Sequence, residues 1–174
     1  MTGIDNAISE LQKSNDYRVL ARFKKVGIYN QDDGSQKKIG LIVDCEATGV
    51  DADKASMFEL GLTPFEFSPE TGKIYRVFDS ISQFEDPGIP IPAEVTQITG
   101  VSDEMVAGKK FDDAIIEKAF ADAVLCIAHN ARYDRKMFER RFPFTAKNAW
   151  ACSMDGIDWF AEHIYSRSLE FLAL

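Results

Sequence analysis

The chain has 174 residues, 45% of them apolar, and a formal net charge of -8 at pH 7. That length suits one domain with a buried core, and no stretch nears the roughly 18 apolar residues of a membrane span. The acidic balance excludes a protein that coats nucleic acid by bulk electrostatics, although not an enzyme acting on it, because bound divalent cations reverse the sign of an acidic site locally. The first residues are polar and mixed in charge, without the basic start and apolar centre of a secretory signal, so a cytoplasmic location is the default expectation. Cys45, Cys126 and Cys152 lack metal-type spacing and read as reduced, mostly buried thiols.

In chain order, residues 5–13 (Ile8 and Leu11 after an Asp5 cap) and 15–23 (Tyr17, Val19, Leu20 and Phe23) predict two short helices. With a lead-in strand at 25–30 they form an N-terminal appendage, residues 1–38. The apolar run 39–43 predicts the first core strand, ending at Asp44. Runs 57–67 and 74–84, separated by Ser68-Pro69-Glu70-Thr71-Gly72, predict a hairpin. The proline-rich stretch 85–100 predicts an extended crossing with a short helix near 93–96, and ordered loops of that length more often line a site than merely join two elements. A helix over 111–120, a strand over 124–128, a helix over 131–142, a strand over 150–154 and two helices, 155–163 and from 168 onward, complete the order. This alternation predicts an α/β domain over 39–174, with a mixed sheet and helices on both faces.

The chemistry concentrates where strands end. Asp44 and Glu46 are two apart at the end of the first core strand, so both point to one face. An arbitrary pair of this kind caps a strand. Followed at once by Thr48-Gly49, it reads instead as a carboxylate pair for divalent metal. On the helix after His129-Asn130, the apolar residues Tyr133, Met137 and Phe138 mark the inward face, and Asp134 lies on it. An acid there is costly without a partner. The partner is either a cation, with Asp44 and Glu46 completing an oxygen-rich site, or one of Arg135, Arg140 and Arg141. Arg132, Arg135, Lys136, Arg140 and Arg141 either guide a phosphate backbone or form a solvated face.

Three ordered blocks, residues 44–49 (DCEATG), 90–106 (PIPAEVTQITGVSDEMV) and 129–134 (HNARYD), resemble the DnaQ-like, or DEDD, 3'-5' exonuclease superfamily, which includes the proofreading subunit of bacterial replicative polymerase. The resemblance spans about residues 39–174. It implies an RNase H-like fold with a central mixed five-stranded sheet, and two-metal hydrolysis of the terminal phosphodiester at a nucleic-acid 3' end. It assigns Asp44 to both Mg2+ or Mn2+ ions, Glu46 to the ion that activates water, and Asp134 to the second ion, directly or through water. Thr48 and Gly49 would flank the 3' nucleotide, Gln97, Ile98 and Thr99 would pack against it, and Asn130 would orient the second block. Single-stranded DNA is the implied substrate, in proofreading or repair, with a polymerase or repair protein as possible partner. Short RNA, or a non-catalytic adaptor on the same fold, are the alternatives.

The superfamily's third motif, a histidine or tyrosine followed five residues on by aspartate, has no match. His163 is followed at that distance by Ser168, and Tyr165 by Glu170. Residues 166–174 resemble the helix just before that motif, so the fold is expected to be incomplete at its C-terminal end. The expectations are weak metal binding, little or no nuclease activity, since losing a general base costs on the order of 100- to 10,000-fold, and self-association through apolar surface near Trp159, Phe160, Phe171 and Leu172.

Overall fold

The computed structural model describes residues 3–14, 16, 19 and 26–172. The first expected helix is present as α1 (Gly3–Gln12). The second, 15–23, falls mostly outside the described residues.

The sheet is built around β1 (Lys38–Ala47). Its apolar residues give it the β propensity of a half-buried strand, and its alternation sends Leu41, Val43 and Cys45 to one side and Ile42, Asp44 and Glu46 to the other. β2 (Met57–Phe67) runs antiparallel along its full length, with Asp44 opposite Gly61 and Glu46 opposite Glu59. On the other edge β5 (Leu125–Ala128) runs parallel, pairing Gly40–Ile42 with Leu125–Ile127, and β6 (Trp150–Cys152) runs parallel to β5. The expected second arm of the hairpin divides into β3 (Ile74–Val77) and β4 (Ile81–Phe84), which pair with successive parts of β2. The order is β3-β2-β1-β5-β6, with β4 also on β2, a mixed sheet of six strands in five lanes. Gly40 is required where it stands: a Cβ there would meet the Phe65 ring at 2.2 Å from Cζ.

The lead-in segment joins the β3 edge of the sheet. Ile28 bridges to Arg76, the Tyr29 N–H donates to the Tyr75 carbonyl at 2.8 Å, and the Tyr75 hydroxyl donates to Asp33 at 2.7 Å. This segment covers the open edge of β3, which a sheet otherwise leaves to unwanted pairing.

Helices α4 (Asp113–Asp122) and α5 (Ala131–Arg141) pack on the Leu41 face. Ile116 and Phe120 of α4 and Met137 and Phe138 of α5 join Leu41, Val43, Leu60 and Leu62 in the main core. Asp112 caps α4 by accepting from the Ala114 and Ile115 amides. Two short elements were not predicted, α3 (Asp103–Val106) and a 3-10 turn at Pro143–Lys147, where Pro143 halts the α-helix. Residues 155–163 form turns rather than the predicted helix. The Gly156 N–H closes a turn onto the Cys152 carbonyl, and His163 takes a positive φ of 60°. The chain ends its described part in α6 (Leu169–Leu172), and earlier in the chain Phe160 and Tyr165, each 72% exposed, meet edge to face.

Among the described residues no helix is long and apolar enough to cross a membrane.

Candidate active site

At the carboxyl end of β1 the two faces of the strand diverge. On the Leu41 side the core is closed. On the other, Ile42 is 43% exposed and Asp44 lies open, although β1 is the middle strand of the sheet. Asp44 and Glu46 share this open face, as their spacing predicts. Strand register adds Glu59, which stands opposite Glu46, and His129, just past the end of β5, lies near enough to Asp44 for its charge to act on that carboxyl. Partial burial raises the carboxyl of Asp44 above its ordinary pKa, against the opposing influence of His129. Burial also raises Glu46 and Glu59, and the neighbouring carboxylates push both further in the same direction. Among the described residues no lysine, arginine or histidine forms an ion pair with Asp44, Glu46 or Glu59.

Asp134 sits elsewhere in this arrangement. It is 4% exposed, and its Oδ1 accepts from the Cys45 N–H at 3.2 Å and from the Cys45 thiol at 3.5 Å. β5 pairs with β1 only as far as Ile42, so the carboxylate takes up an amide of β1 beyond the reach of that strand. Burial, then the charge of Asp44, raises its pKa to about 7. None of Arg135, Arg140 and Arg141 pairs with it. Arg135 holds Glu139, Arg141 holds Glu85 and Asp113, and Arg140 donates to the carbonyls of Ala52 and Ala55. Among the described residues no group of three or more His, Cys, Asp or Glu is gathered as a metal site. The donor set nevertheless fits a hard divalent cation in chemistry: oxygen ligands, unpaired, on an open face.

Beside the carboxylates lies a cavity of about 350 Å³. Its walls are the tip of β1 (Glu46 and Ala47), the turn Gly49-Val50, the end of α2 (Ala93–Thr99) with Ile98 and Thr99, and the start of α5 with Asn130 and Tyr133. Gly49, Ile98 and Thr99, expected to surround a terminal nucleotide, and Asn130, expected to orient the second block, are therefore brought together here. Gln97 is exposed and stands outside the lining, as do Asp44, Thr48 and Asp134. Thr48 closes its own loop: its N–H donates to the Ser56 carbonyl, and its hydroxyl accepts from the Ser56 N–H, each at 2.9 Å. Val50 and Ile98 are 96% and 85% exposed at the mouth. Asn130 adopts φ 66°, a left-handed turn that asparagine tolerates, and so swings the chain from β5 directly into α5.

Three residues at helical spacing on α5 fasten the loop after β1. The Tyr133 hydroxyl donates to the Gly49 carbonyl at 2.5 Å, Lys136 pairs with Asp53 at 2.6 Å, and Arg140 reaches Ala52 and Ala55. His129 also has both ring nitrogens engaged, with Ser153 Oγ at 3.0 Å and the Arg167 carbonyl at 2.7 Å. Since a carbonyl only accepts, Nε2 carries the proton.

The exonuclease family model RNase_T matches residues 41–156, the strands and helices that hold these groups. The chain belongs to the DnaQ-like exonuclease superfamily. A PolC-type DNA polymerase III from Clostridium perfringens (strain 13 / Type A) is 29% identical over 96 residues, which are 54% of this chain and 6% of that protein. Among solved structures, one of exonuclease I superposes with TM-score 0.56 at 17% identity, covering 78% of this chain and 34% of that one. A complex of E. coli exonuclease I with a dT13 oligonucleotide gives 0.52 at 14% identity, covering 68% and 28%. The likeness to exonuclease I shows the shared fold. The chain spans only a small part of the length of these relatives.

Proposed function

We propose that the chain is a metal-dependent 3'-5' exonuclease domain acting on single-stranded DNA. The observation that carries this reading is the unpaired Asp44–Glu46 pair, on an open face at a strand end and next to a cavity of nucleotide size, within an exonuclease family member. Asp44 and Glu46 would hold divalent metal, Mg2+ or Mn2+, with Asp134 acting on it from behind β1 through Cys45 or through water. Bound there, such ions supply charge stabilisation and an activated water for phosphodiester hydrolysis.

The remaining steps fall to the chain's own side chains. Val50 and Ile98 offer apolar surface to a terminal base at the cavity mouth, where packing tolerates any sequence. Glu46 stands between cavity and open face, so a sugar seated in the cavity would place its phosphate toward Asp44. The Tyr133–Gly49 hydrogen bond fixes the wall against which the sugar rests. No residue in this sequence matches the superfamily's general-base position, and both nitrogens of His129 are already bonded. The rate of the chain by itself is accordingly low. The likeness to PolC-type DNA polymerase III points to a polymerase as the partner beside which the domain would work.

The test uses 5'-labelled single-stranded DNA with Mn2+, and an RNA of the same sequence in a parallel arm. The expected result is slow shortening in single-nucleotide steps from the 3' end, lowered at least about 100-fold by Asp44→Asn. Equal activity of the Asp44→Asn chain, or products that grow from the 5' end, would overturn the reading. Preferential shortening of the RNA would move the substrate to that class.

A further inference from the structure

We propose that Glu59 is a positioning carboxylate of the same site: placed across the β1–β2 pair from Glu46, it acts through the water around a bound cation and raises the occupancy of the site. This rests on the metal-dependent reading above and extends it to a residue outside the family motifs quoted for this chain.

In an antiparallel pair, residues directly opposite have Cβ atoms about 4.5–5.5 Å apart, and like charges in that position are destabilising. Glu46 and Glu59 are such a pair. Asp44 lies on the diagonal from Glu59, and its own cross-strand neighbour is Gly61, so no side chain opposite Asp44 separates the two acids. Both glutamates are half-buried.

An ordinary solvated surface acid fits these facts poorly. The chain carries 20 lysines and arginines, and the structure spends them freely on other acids: Arg141 on Glu85 and Asp113, Lys136 on Asp53, Lys73 on Asp33. Among the described residues none is spent on Asp44, Glu46 or Glu59. A threonine or glutamine at position 59 would keep the strand and remove the repulsion. The arrangement makes physical sense when a cation arrives, because a bound divalent ion inverts the local charge balance and stabilises the state that binds it. Glu59 acts indirectly because it is not gathered with Asp44 and Glu46 into a set of ligands. Its negative charge works over a few ångströms, and its oxygens accept hydrogen bonds from coordinated water.

The experiment compares thermal unfolding of the wild-type chain, Glu59→Gln, Glu59→Asp and Asp44→Asn, with EDTA and across a Mn2+ titration, and measures Mn2+ binding by electron paramagnetic resonance. The expected result has two signs. Without metal, Glu59→Gln melts higher than wild type, because a repulsion is gone. With metal, its gain in Tm is smaller and its Mn2+ affinity falls about 3- to 10-fold, while Glu59→Asp recovers part of the affinity. A merely structural role predicts a lower Tm without metal, and that outcome overturns the proposal, as does an unchanged Mn2+ affinity. Asp44→Asn separates the two levels. If wild type gains Tm with metal, Asp44→Asn does not, and Glu59→Gln matches wild type, only the role of Glu59 fails. If wild type itself shows no response to metal, the reading of the site fails with it.

Discussion

The two faces of β1 are one strand read in two ways. On the α4–α5 side, Leu41 and Val43 are fully enclosed among Phe120, Met137 and Phe138. On the other side the row runs from Gly40 beneath the Phe65 ring, through exposed Ile42, to the acids Asp44 and Glu46. Stability is therefore concentrated on one surface of the strand, and the carboxylates proposed to hold metal stand on the other. A strand pinned from behind holds its front residues in place without needing them to contribute to the fold, so carboxylates that repel one another are tolerated there.

Truncation of neighbouring residues on opposite faces separates the two surfaces most clearly. Leu41→Ala should cost about 3 kcal/mol, the range for an enclosed leucine that leaves a cavity. Ile42→Ala should cost less than about 1 kcal/mol, since much of that side chain already meets water. Urea denaturation of both variants decides it, and similar losses would mean that the Ile42 face is covered in solution.

A second contrast, of middling size, sets a paired acid against the unpaired ones. Burial pushes the Glu85 carboxyl up, but the hydrogen bonds from Arg141, at 2.7 and 2.8 Å, the bond from the Phe111 N–H and the charges of Arg141 and Lys110 together outweigh it and hold the group below its ordinary pKa. An acid lowered in the folded state contributes stability that is present above its unfolded pKa, near 4.5, and is lost as pH falls through the folded value. Glu85→Gln should thus destabilise by about 1–2 kcal/mol at pH 7, with the difference from wild type shrinking as pH drops below about 4.5. Denaturation midpoints at pH 7 and pH 3.5 check the sign, which is opposite to that expected for a carboxylate without a cationic partner.

The smallest expected effect concerns the join between the two faces. Arg140→Met removes the donors to Ala52 and Ala55 and should cost about 1 kcal/mol. Amide exchange should quicken across residues 48–56 while the β1 amides stay protected.

How much of this was legible beforehand follows from how local each signal is. The run 39–43, the inward row of α5 and the Ser68–Gly72 turn carry their own periodicity or turn chemistry, and each element formed where expected. Asp44 and Glu46 could be placed on one face because a strand's period of two needs no partner. That Asp134 demanded company was legible from an acid among Tyr133, Met137 and Phe138. That its company is Cys45, across 89 residues, was not, because only the end of β5 pairing exposes that amide. Glu59 was hidden for a similar reason. Within 57–67 it is one polar residue in an alternating strand, and only register sets it against Glu46. The expected helix over 155–163 failed on the turn at Gly156, where a Cβ would come within 2.6 Å of the Cys152 carbonyl oxygen.

The fastening of the loop after β1 by Tyr133, Lys136 and Arg140 has a kinetic meaning. A wall already held in place has little conformational entropy left to lose when a ligand enters, so capture depends on encounter rather than on waiting for a loop to close. The cavity between β1 and α5 is in this sense a mould set before use.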